Sequence, residues 1–325
     1  MGFGRLALGR NVSVGVVFPG QGSQKVGMCA DVVRAFPAAR ALVDRANAAL
    51  GYDLFAIMES GPDETLRETR YSQPAIFVAN MMLHAAAADR LDVAVSAGHS
   101  FGEYCSLTIA GALTFEAALG LVNERGLAMQ RAADAAPGAM TAVLGLDDDV
   151  LRAIANAARE ETGGRITLAN FNAPGQIVIS GDVEVVALVA ERARSAGARK
   201  TVTLNVSGAW HSELMEPART AFEPYVRDAD IAMPRFPVIS NVDAQPYGSI
   251  ATIRQNLVTS VTAEVRWYET AVRLVAEPID GVVEFGANAV LAPLFRRVPG
   301  SPRAGHAGDV AAIERLRDSP IGARA

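Results

Sequence analysis

Cysteine and lysine are scarce in this chain of 325 residues. It has 2 cysteines, Cys29 and Cys105, and its 30 basic residues include only two lysines, Lys25 and Lys200. The cysteines show no metal-ligand spacing and have no second cysteine nearby, which argues against both a disulfide framework and a zinc site. Free thiols suit a reducing compartment, so we expect a cytoplasmic protein without a bound metal.

Long hydrophobic runs are missing as well. No run approaches the roughly 18 apolar residues of a membrane-spanning helix, because charged residues such as Glu103 and Glu116 interrupt the most apolar stretches. The start, MGFGRLALGRNVSVGVVFPGQ, has a short β-branched run without a small-residue cleavage site, so we interpret it as a first strand. Leu6 stands where a myristoylation signal needs Ser or Thr. We therefore expect no membrane association.

The chain also lacks an excess of positive charge. Its formal net charge of -5 argues against general affinity for nucleic acids, although a local basic patch could receive an anionic partner. Hydrophobic residues make up 50% of the sequence, which is enough for one large domain or two smaller ones.

Strand and helix patterns alternate along the first part of the chain. A strand pattern at 14–19 runs into a glycine-rich turn, and helical patterns follow at 31–50 and 74–89. The same succession of strand, loop and helix recurs around Ser100. This alternation predicts an α/β fold with a mostly parallel sheet and helices on its faces.

Residues 138–206 show a different order, strand, helix, strand, strand, helix and strand, which is typical of a ferredoxin-like unit. We therefore predict a small subdomain at 136–206, inserted in a larger α/β domain at 1–135 and 207–325. The default ligand site is the cleft between them. Beyond 298 we expect a peripheral tail with one weak helix at 309–316.

A lone serine lies between two glycines in GHSFG, residues 98–102. This pattern fits the G-x-S-x-G elbow, in which a strained turn from strand to helix exposes a nucleophilic serine. Ser100 is therefore a candidate nucleophile, and a simple helix-capping serine is the alternative. His99 is a poor candidate base, because neighbouring side chains diverge at such a turn; we expect it to pack or to donate a hydrogen bond.

A serine nucleophile needs a base, and histidine is the usual one. The chain has 4 histidines. His84 lies in an alanine-rich helical pattern and His306 in the tail, so we interpret both as structural or solvated. His211, in VSGAWHSELM, remains as the candidate base, with a surface histidine as the equally open alternative.

The glycine-rich segment FPGQGSQKVGM, residues 18–28, matches neither G-x-G-x-x-G nor a phosphate-binding G-K-[ST] pattern. A turn after a first strand can instead present a main-chain N–H to an oxyanion. The candidate donors are Gln21 and Phe101, the residue after the nucleophile. The alternative interpretation of this segment is a simple connection from strand to helix without a role in the site.

One arginine interrupts an apolar helical stripe in TFEAALGLVNERGLAMQRAA. Arg125 shares its face with Leu121, Val122, Ala128 and Met129. A buried guanidinium is costly without an anionic partner, so this arginine is either paired internally or lines a cavity for an anionic ligand. We favour a clamp for a substrate carboxylate.

Eight motifs occur in order along the chain: FPGQGSQ (18–24), SQPAIF (72–77), GHSFGEY (98–104), ERG (124–126), NAPGQIVISG (172–181), VSGAWHS (206–212), ISNV (239–242) and VRW (265–267). Together they resemble the malonyl-CoA:acyl-carrier-protein transacylases, the acyltransferases that load extender units in fatty-acid and polyketide synthesis. The resemblance covers about residues 14–298. It implies an α/β-hydrolase-like large domain with an inserted ferredoxin-like subdomain.

The resemblance also implies a ping-pong reaction. CoA leaves an acyl-serine ester, and the phosphopantetheine thiol of a carrier protein takes the acyl group, with no bound cofactor. On this sequence Ser100 would be the nucleophile, His211 the base, Gln21 and Phe101 the oxyanion donors, and Arg125 the partner of the malonyl carboxylate.

Further residues follow from the same resemblance. Ser260 would orient the histidine through its main-chain carbonyl, where many members have Gln. Other departures are Glu264 in place of Pro and EFGANAVL in place of a Gly-Pro-Gly version. The residues expected to contact substrate are Gln73, Met129, Asn172, Trp210 and Val290.

The acyl group is predicted from two positions. Trp210 stands where malonyl enzymes of the family commonly have Phe and methylmalonyl enzymes have Ser, and Phe101 stands where methylmalonyl enzymes often have Gln. Both bulky side chains leave little room for an α-methyl group, so we predict malonyl. The acidic carrier protein would meet basic residues at the cleft rim, although each alone fits a solvated face: Arg192, Arg194, Arg199, Lys200, Arg296 and Arg297.

Three other functions compete. A hydrolase of this fold could clear stalled acyl groups from carrier proteins, but it has no use for a carboxylate clamp at Arg125. A catalytically idle docking module would not need the intact Ser100 and His211. An ordinary Ser-His-Asp hydrolase usually has its acid between Ser and His, a span filled here mainly by the small subdomain. The sequence leaves open whether the carrier serves fatty-acid or polyketide synthesis.

Overall fold

The computed structural model describes residues 12–318 and contains two β-sheets, whose strands and helices are numbered here in chain order. The strands of the larger sheet are β1 (Ser13–Phe18), β2 (Asp92–Gly98), β7 (Val238–Ile239), β8 (Gly281–Phe285) and β9 (Arg303–Ala307). They pair in the order β7-β2-β1-β8-β9, and every pair is parallel. The predicted α/β fold with a parallel sheet is confirmed.

Both faces of this sheet are covered, as its apolar strands require. Val16 and Phe18 of β1 point into the main hydrophobic core, whereas Val17 points into a second core on the other face. The helices around the larger sheet are α1 (Ala30–Ala35), α2 (Pro37–Leu50), α3 (Leu54–Ser60), α4 (Asp63–Arg67), α5 (Thr69–Ala87), α6 (Gly102–Ile109), α7 (Phe115–Ala135), α10 (Glu216–Asp228), α11 (Ile250–Thr259), α12 (Trp267–Val275) and α13 (Val310–Asp318).

The smaller sheet lies in the middle of the chain. Its strands are β3 (Ala139–Leu144), β4 (Ile166–Ala173), β5 (Gln176–Gly181) and β6 (Lys200–Thr203). They pair antiparallel in the order β4-β5-β3-β6, and the helices α8 (Asp148–Thr162) and α9 (Val183–Ser195) connect them. The predicted order of strands and helices is confirmed, and these elements enclose a hydrophobic core of their own.

Two predicted helices have different bounds in the structure. The pattern at 31–50 forms two helices, because Phe36 is extended (φ -120°, ψ 114°) before Pro37, and a residue before proline disfavours the helical conformation. The helix predicted from 74 begins at Thr69, so its proline lies inside the second turn rather than at the start.

The prediction of a peripheral tail after 298 is wrong. The predicted helix is present as α13, but β9 also adds an edge strand that pairs with β8. Ala307, Ile313 and Leu316 are buried in the main core. The segment RAGHA was missed because its main chain makes the pairing, which needs no β-branched pattern.

Within residues 12–318, no helix is long and apolar enough to cross a membrane. The same part of the chain has no group of three or more His, Cys, Asp or Glu side chains placed to hold a metal ion. Cys29 and Cys105 are buried free thiols. Leu6 and the rest of positions 1–11 lie outside the described residues.

Candidate active site

The predicted elbow is present between β2 and α6. Ser100 has a left-handed main chain (φ 53°), which is strained for a residue with a side chain. Close packing against main-chain atoms leaves no room for a side chain at Gly98 or Gly102. A Cβ on Gly98 would lie 1.9 Å from the carbonyl carbon of Gly102, and a Cβ on Gly102 would lie 2.4 Å from the oxygen of Phe18. The sequence therefore folds into a turn that exposes Ser100 at the carboxyl end of the sheet.

His211 contacts the serine across the fold. Its Nε2 lies 2.8 Å from Ser100 Oγ, and its Nδ1 lies 3.0 Å from the carbonyl oxygen of Ala263. A carbonyl oxygen only accepts, so Nδ1 carries the proton and Nε2 is free to accept the serine hydroxyl proton. The arrangement suits a general base at Nε2.

The surroundings of His211 keep it neutral. Burial lowers its pKa to about 3, and the charges of Arg125 and His99 lower it further. Interactions with main-chain groups of Ala263 and Ser260, the former accepting from Nδ1, act in the opposite direction. A neutral imidazole is the form that takes a proton from serine. The imidazole of His211 is therefore uncharged at neutral pH in this structure.

Arg125 lies on the buried face of α7, as its stripe predicts, and is 1% exposed. Its Nη1 donates to Gln73 Oε1 at 2.9 Å and its Nη2 to Ser100 Oγ at 3.4 Å, while its Nε has no partner. No carboxylate among the described residues forms an ion pair with it. Burial lowers its pKa, which the nearby Tyr104 and Glu103 oppose. A buried guanidinium in such a position can receive an anion beside Ser100.

These groups meet in a small cavity of about 70 Å³. It is lined by residues from both sheets and their connections: Gln21, His99, Ser100, Arg125, Met129, Met140, Asn170, Leu204, Val206, Trp210 and His211. Two larger grooves, of about 660 and 790 Å³, contain neither the serine nor the histidine. The chemistry therefore belongs to the small cavity.

Comparison with known proteins identifies the family. The family described as "Acyl transferase domain" matches residues 16–298. The chain belongs to this acyl transferase family. A "Malonyl CoA-acyl carrier protein transacylase" of Haemophilus influenzae is 37% identical over 307 residues, which are 93% of this chain and 97% of that protein. A protein of the same name from Bacillus subtilis is 38% identical over 286 residues, covering 88% and 90%.

A solved structure agrees with these acyl transferase relatives. It is described as "type II PKS acyl-carrier protein in complex with its malonyl-transacylase" and matches with a TM-score of 0.89. The two sequences are 34% identical, and the match covers 94% of this chain and 99% of that one.

The structure brings most of the predicted acyl transferase site together. Ser100, His211, Arg125, Gln21, Met129 and Trp210 all line the cavity. Phe101 follows Ser100 directly and is buried, with its main-chain N–H at the start of α6. Gln73 is buried behind the arginine, where its Oε1 accepts from Nη1 and its Nε2 contacts Met129 Sδ at 3.3 Å.

Five predicted residues do not line this cavity: the buried Phe101 and Gln73, and also Asn172, Val290 and Ser260. Asn172 Oδ1 is 2.9 Å from His99 Nε2, so it holds the neighbour of the nucleophile. The Val290 side chain is 41% exposed, and its main-chain N–H donates to Glu284. The main-chain contact expected of Ser260 is made by Ala263, whose carbonyl oxygen accepts from His211 Nδ1 at 3.0 Å, and the main chain of Ser260 only raises the pKa of His211.

Several residues of the site were not predicted. Asn241 accepts a hydrogen bond from the main-chain N–H of Ser100, and Ala263 orients the histidine. Asn170, Met140 and the segment 204–206 complete the cavity wall. Asn241 lies in the motif ISNV and Ala263 lies two residues before the motif VRW, but no local pattern indicated their roles.

Proposed function

We propose that this protein transfers a malonyl group from malonyl-CoA to the phosphopantetheine thiol of an acyl carrier protein through an ester on Ser100. The observation that carries the proposal is the meeting of three groups in one cavity. Ser100 Oγ lies 2.8 Å from Nε2 of His211 and 3.4 Å from Nη2 of Arg125, whose guanidinium has no carboxylate partner among the described residues. A nucleophile, its base and a carboxylate partner are the parts that this transfer needs.

In the first half-reaction, His211 Nε2 takes the hydroxyl proton while Ser100 Oγ attacks the thioester carbonyl. The main-chain N–H groups of Phe101 and Gln21 would stabilise the oxyanion of the tetrahedral intermediate. The carbon–sulfur bond then breaks, and the CoA thiolate takes the proton from the imidazolium. The malonyl group remains as an ester on the serine.

In the second half-reaction, the carrier's thiol attacks this ester. His211 takes the thiol proton and returns a proton to Ser100 Oγ as the ester bond breaks. The acyl group passes from the thiol of CoA to the serine hydroxyl and from there to the thiol of the carrier. Neither step needs a resident cofactor or metal. CoA and phosphopantetheine take part as substrates.

Malonyl is the acyl group that the cavity favours. Arg125 Nη2 and Nε would bind the malonyl carboxylate, with Gln73 fixing Nη1. Trp210 and Met129 line a space of only about 70 Å³, which disfavours an added α-methyl group. We therefore propose malonyl over methylmalonyl as the preferred substrate.

The presence of two sheets, one parallel and one antiparallel, supports a division into two domains. We propose an α/β-hydrolase-like large domain at 1–135 and 207–325 and a ferredoxin-like subdomain at 136–206. Met140 and Leu204 of the subdomain region line the same cavity as Ser100. Substrate would therefore bind between the two domains.

The acidic carrier protein would dock at the rim of this cleft in the cytoplasm. Of the predicted basic residues, Arg192 is paired with Glu161 at 2.6 Å, and Arg297 donates to the Pro174 carbonyl at 2.8 Å. The side chains that remain exposed without an acidic partner among the described residues are Arg194, Arg199, Lys200 and Arg296. These four are the proposed contacts for the carrier.

Transfer and hydrolysis are distinguished by where the malonyl group goes. The protein is mixed with malonyl-CoA labelled in the malonyl group, with and without a phosphopantetheinylated carrier protein. We expect label on the carrier, and release of CoA in the absence of carrier limited to about one equivalent per protein. Continuous CoA release with free malonate as product would instead support the acyl hydrolase. A carrier protein without its phosphopantetheine arm is the matched control.

A further inference from the structure

A buried asparagine, in the loop after the strand that neighbours β2, contacts the elbow. Asn241 follows β7 and is 2% exposed. Its Oδ1 accepts from the main-chain N–H of Ser100 at 2.7 Å, and its Nδ2 donates to the carbonyl of Gly98 at 2.8 Å. One rigid amide therefore bonds two residues of the elbow at once.

We infer that Asn241 is a positioning residue for the nucleophile, because its amide holds the strained main chain that aims Ser100 Oγ at the base. A positive φ at serine costs on the order of 1 kcal/mol and needs surrounding contacts to persist. The N–H of Ser100 also precedes α6, where main-chain donors have no partner inside the helix. Asn241 satisfies that donor in the strained conformation.

The asparagine is itself held by the helix that follows the elbow. Its main-chain N–H donates to Glu103 Oε2 at 3.2 Å, and Tyr247 donates its hydroxyl to Glu103 Oε1. The main-chain carbonyl of Asn241 accepts from the main-chain N–H of Arg266 at 3.1 Å. Glu103 lies in the first turn of α6, the helix that follows the serine. Asn241 is therefore bonded both to Ser100 and to the helix that begins after it.

The inference rests on the proposed function only in naming the reaction that the serine performs. A misplaced nucleophile slows bond formation more than it weakens binding. Replacing the amide should therefore lower kcat and leave KM for malonyl-CoA nearly unchanged. A loss of general stability would not produce that separation in the protein that remains folded.

The test uses Asn241→Ala and a matched control, Asn256→Ala. Asn256 is also a buried amide, in helix α11, and it donates to Ser240 and Asp243 without a hydrogen bond to the elbow. The probe is a fluorophosphonate ester, which needs only an activated serine. A phosphorus–oxygen bond forms to Ser100 Oγ, fluoride leaves, and the hydroxyl proton passes to His211.

We expect Asn241→Ala to lower both the phosphonylation rate and kcat for malonyl transfer on the order of 100-fold. KM should stay within about threefold, and Asn256→Ala should stay within about threefold in every parameter. Equal losses in the two alanine variants, or wild-type phosphonylation in Asn241→Ala, would overturn the inference. If the wild-type protein is phosphonylated but does not transfer malonyl, that result refutes the proposed function and not the positioning role of Asn241.

Asn241→Asp keeps the inference testable if the alanine variant does not fold. A protonated aspartic acid can accept from Ser100 and donate to Gly98, whereas aspartate can only accept. Its phosphonylation rate should therefore rise as pH falls from 8 to 5.5, relative to wild type. Identical pH profiles for this variant and wild type would overturn the positioning role.

Discussion

Removing the guanidinium of Arg125 should change which acyl group the protein accepts. Gln73 accepts from Nη1 of the guanidinium. A substrate carboxylate would therefore bind Nε, which has no partner among the described residues, and Nη2, whose contact with Ser100 Oγ is long at 3.4 Å. Hydrogen bonds to charged groups contribute about 1.5–3 kcal/mol each, and losing one partner of a buried pair costs about 3–5 kcal/mol. With about 4 kcal/mol lost, Arg125→Ala should lower kcat/KM for malonyl-CoA about 1000-fold.

The assay compares malonyl-CoA with acetyl-CoA, which has no free carboxylate. The acetyl reaction should change less than about tenfold, so the ratio of the two kcat/KM values falls at least about 100-fold. Arg125→Lys should be intermediate, because it keeps the charge and loses the planar fork. Arg131→Ala, an exposed arginine of the same helix, is the control. Equal losses for both thioesters in Arg125→Ala would refute the carboxylate clamp.

Three further predictions concern the walls and buried charges of the site. Trp210→Ser should raise the kcat/KM of methylmalonyl-CoA relative to malonyl-CoA about tenfold or more, because one methyl group is worth about 1–3 kcal/mol in an apolar pocket; an unchanged ratio in competition assays would contradict this. Burial raises the pKa of Glu103 to about 7 from 4.5, so the folded state holds a proton that the unfolded state has released, and this stabilisation is lost as pH rises through 7. Urea unfolding should therefore show wild type gaining stability over Glu103→Gln, by a few kcal/mol at most, between pH 8 and pH 5, and parallel curves would count against the raised pKa. His211→Ala should slow acylation of the serine about 100- to 10,000-fold, measured by the burst of CoA release, and a full burst would remove its role as base.

Local sequence was sufficient for the parts of the site that one element supplies. The glycines around Ser100 are required within five residues, and the apolar stripe around Arg125 lies on a single helix. Both features were predicted and are present. The order of elements in the smaller sheet was also predictable, because each strand and helix carries its own hydrophobic period.

The parts that depend on distant segments were not predictable in this way. Asn241 meets Ser100 across 141 positions of sequence, and Ala263 meets His211 across 52. A main-chain carbonyl leaves no trace in the side-chain pattern, so any residue at position 263 could orient the histidine. The edge strand β9 was missed for the same reason, since parallel pairing uses main-chain groups.

Intact-protein mass spectrometry after brief incubation with malonyl-CoA shows whether Ser100 carries the acyl group. We expect one malonyl adduct on wild type, located on the peptide that contains the serine, and no adduct on Ser100→Ala. Methylmalonyl-CoA should give a weaker adduct on wild type under the same conditions. A malonyl adduct that persists on Ser100→Ala, or a wild-type protein that neither forms the adduct nor releases CoA, would refute an acyl-serine intermediate at this residue.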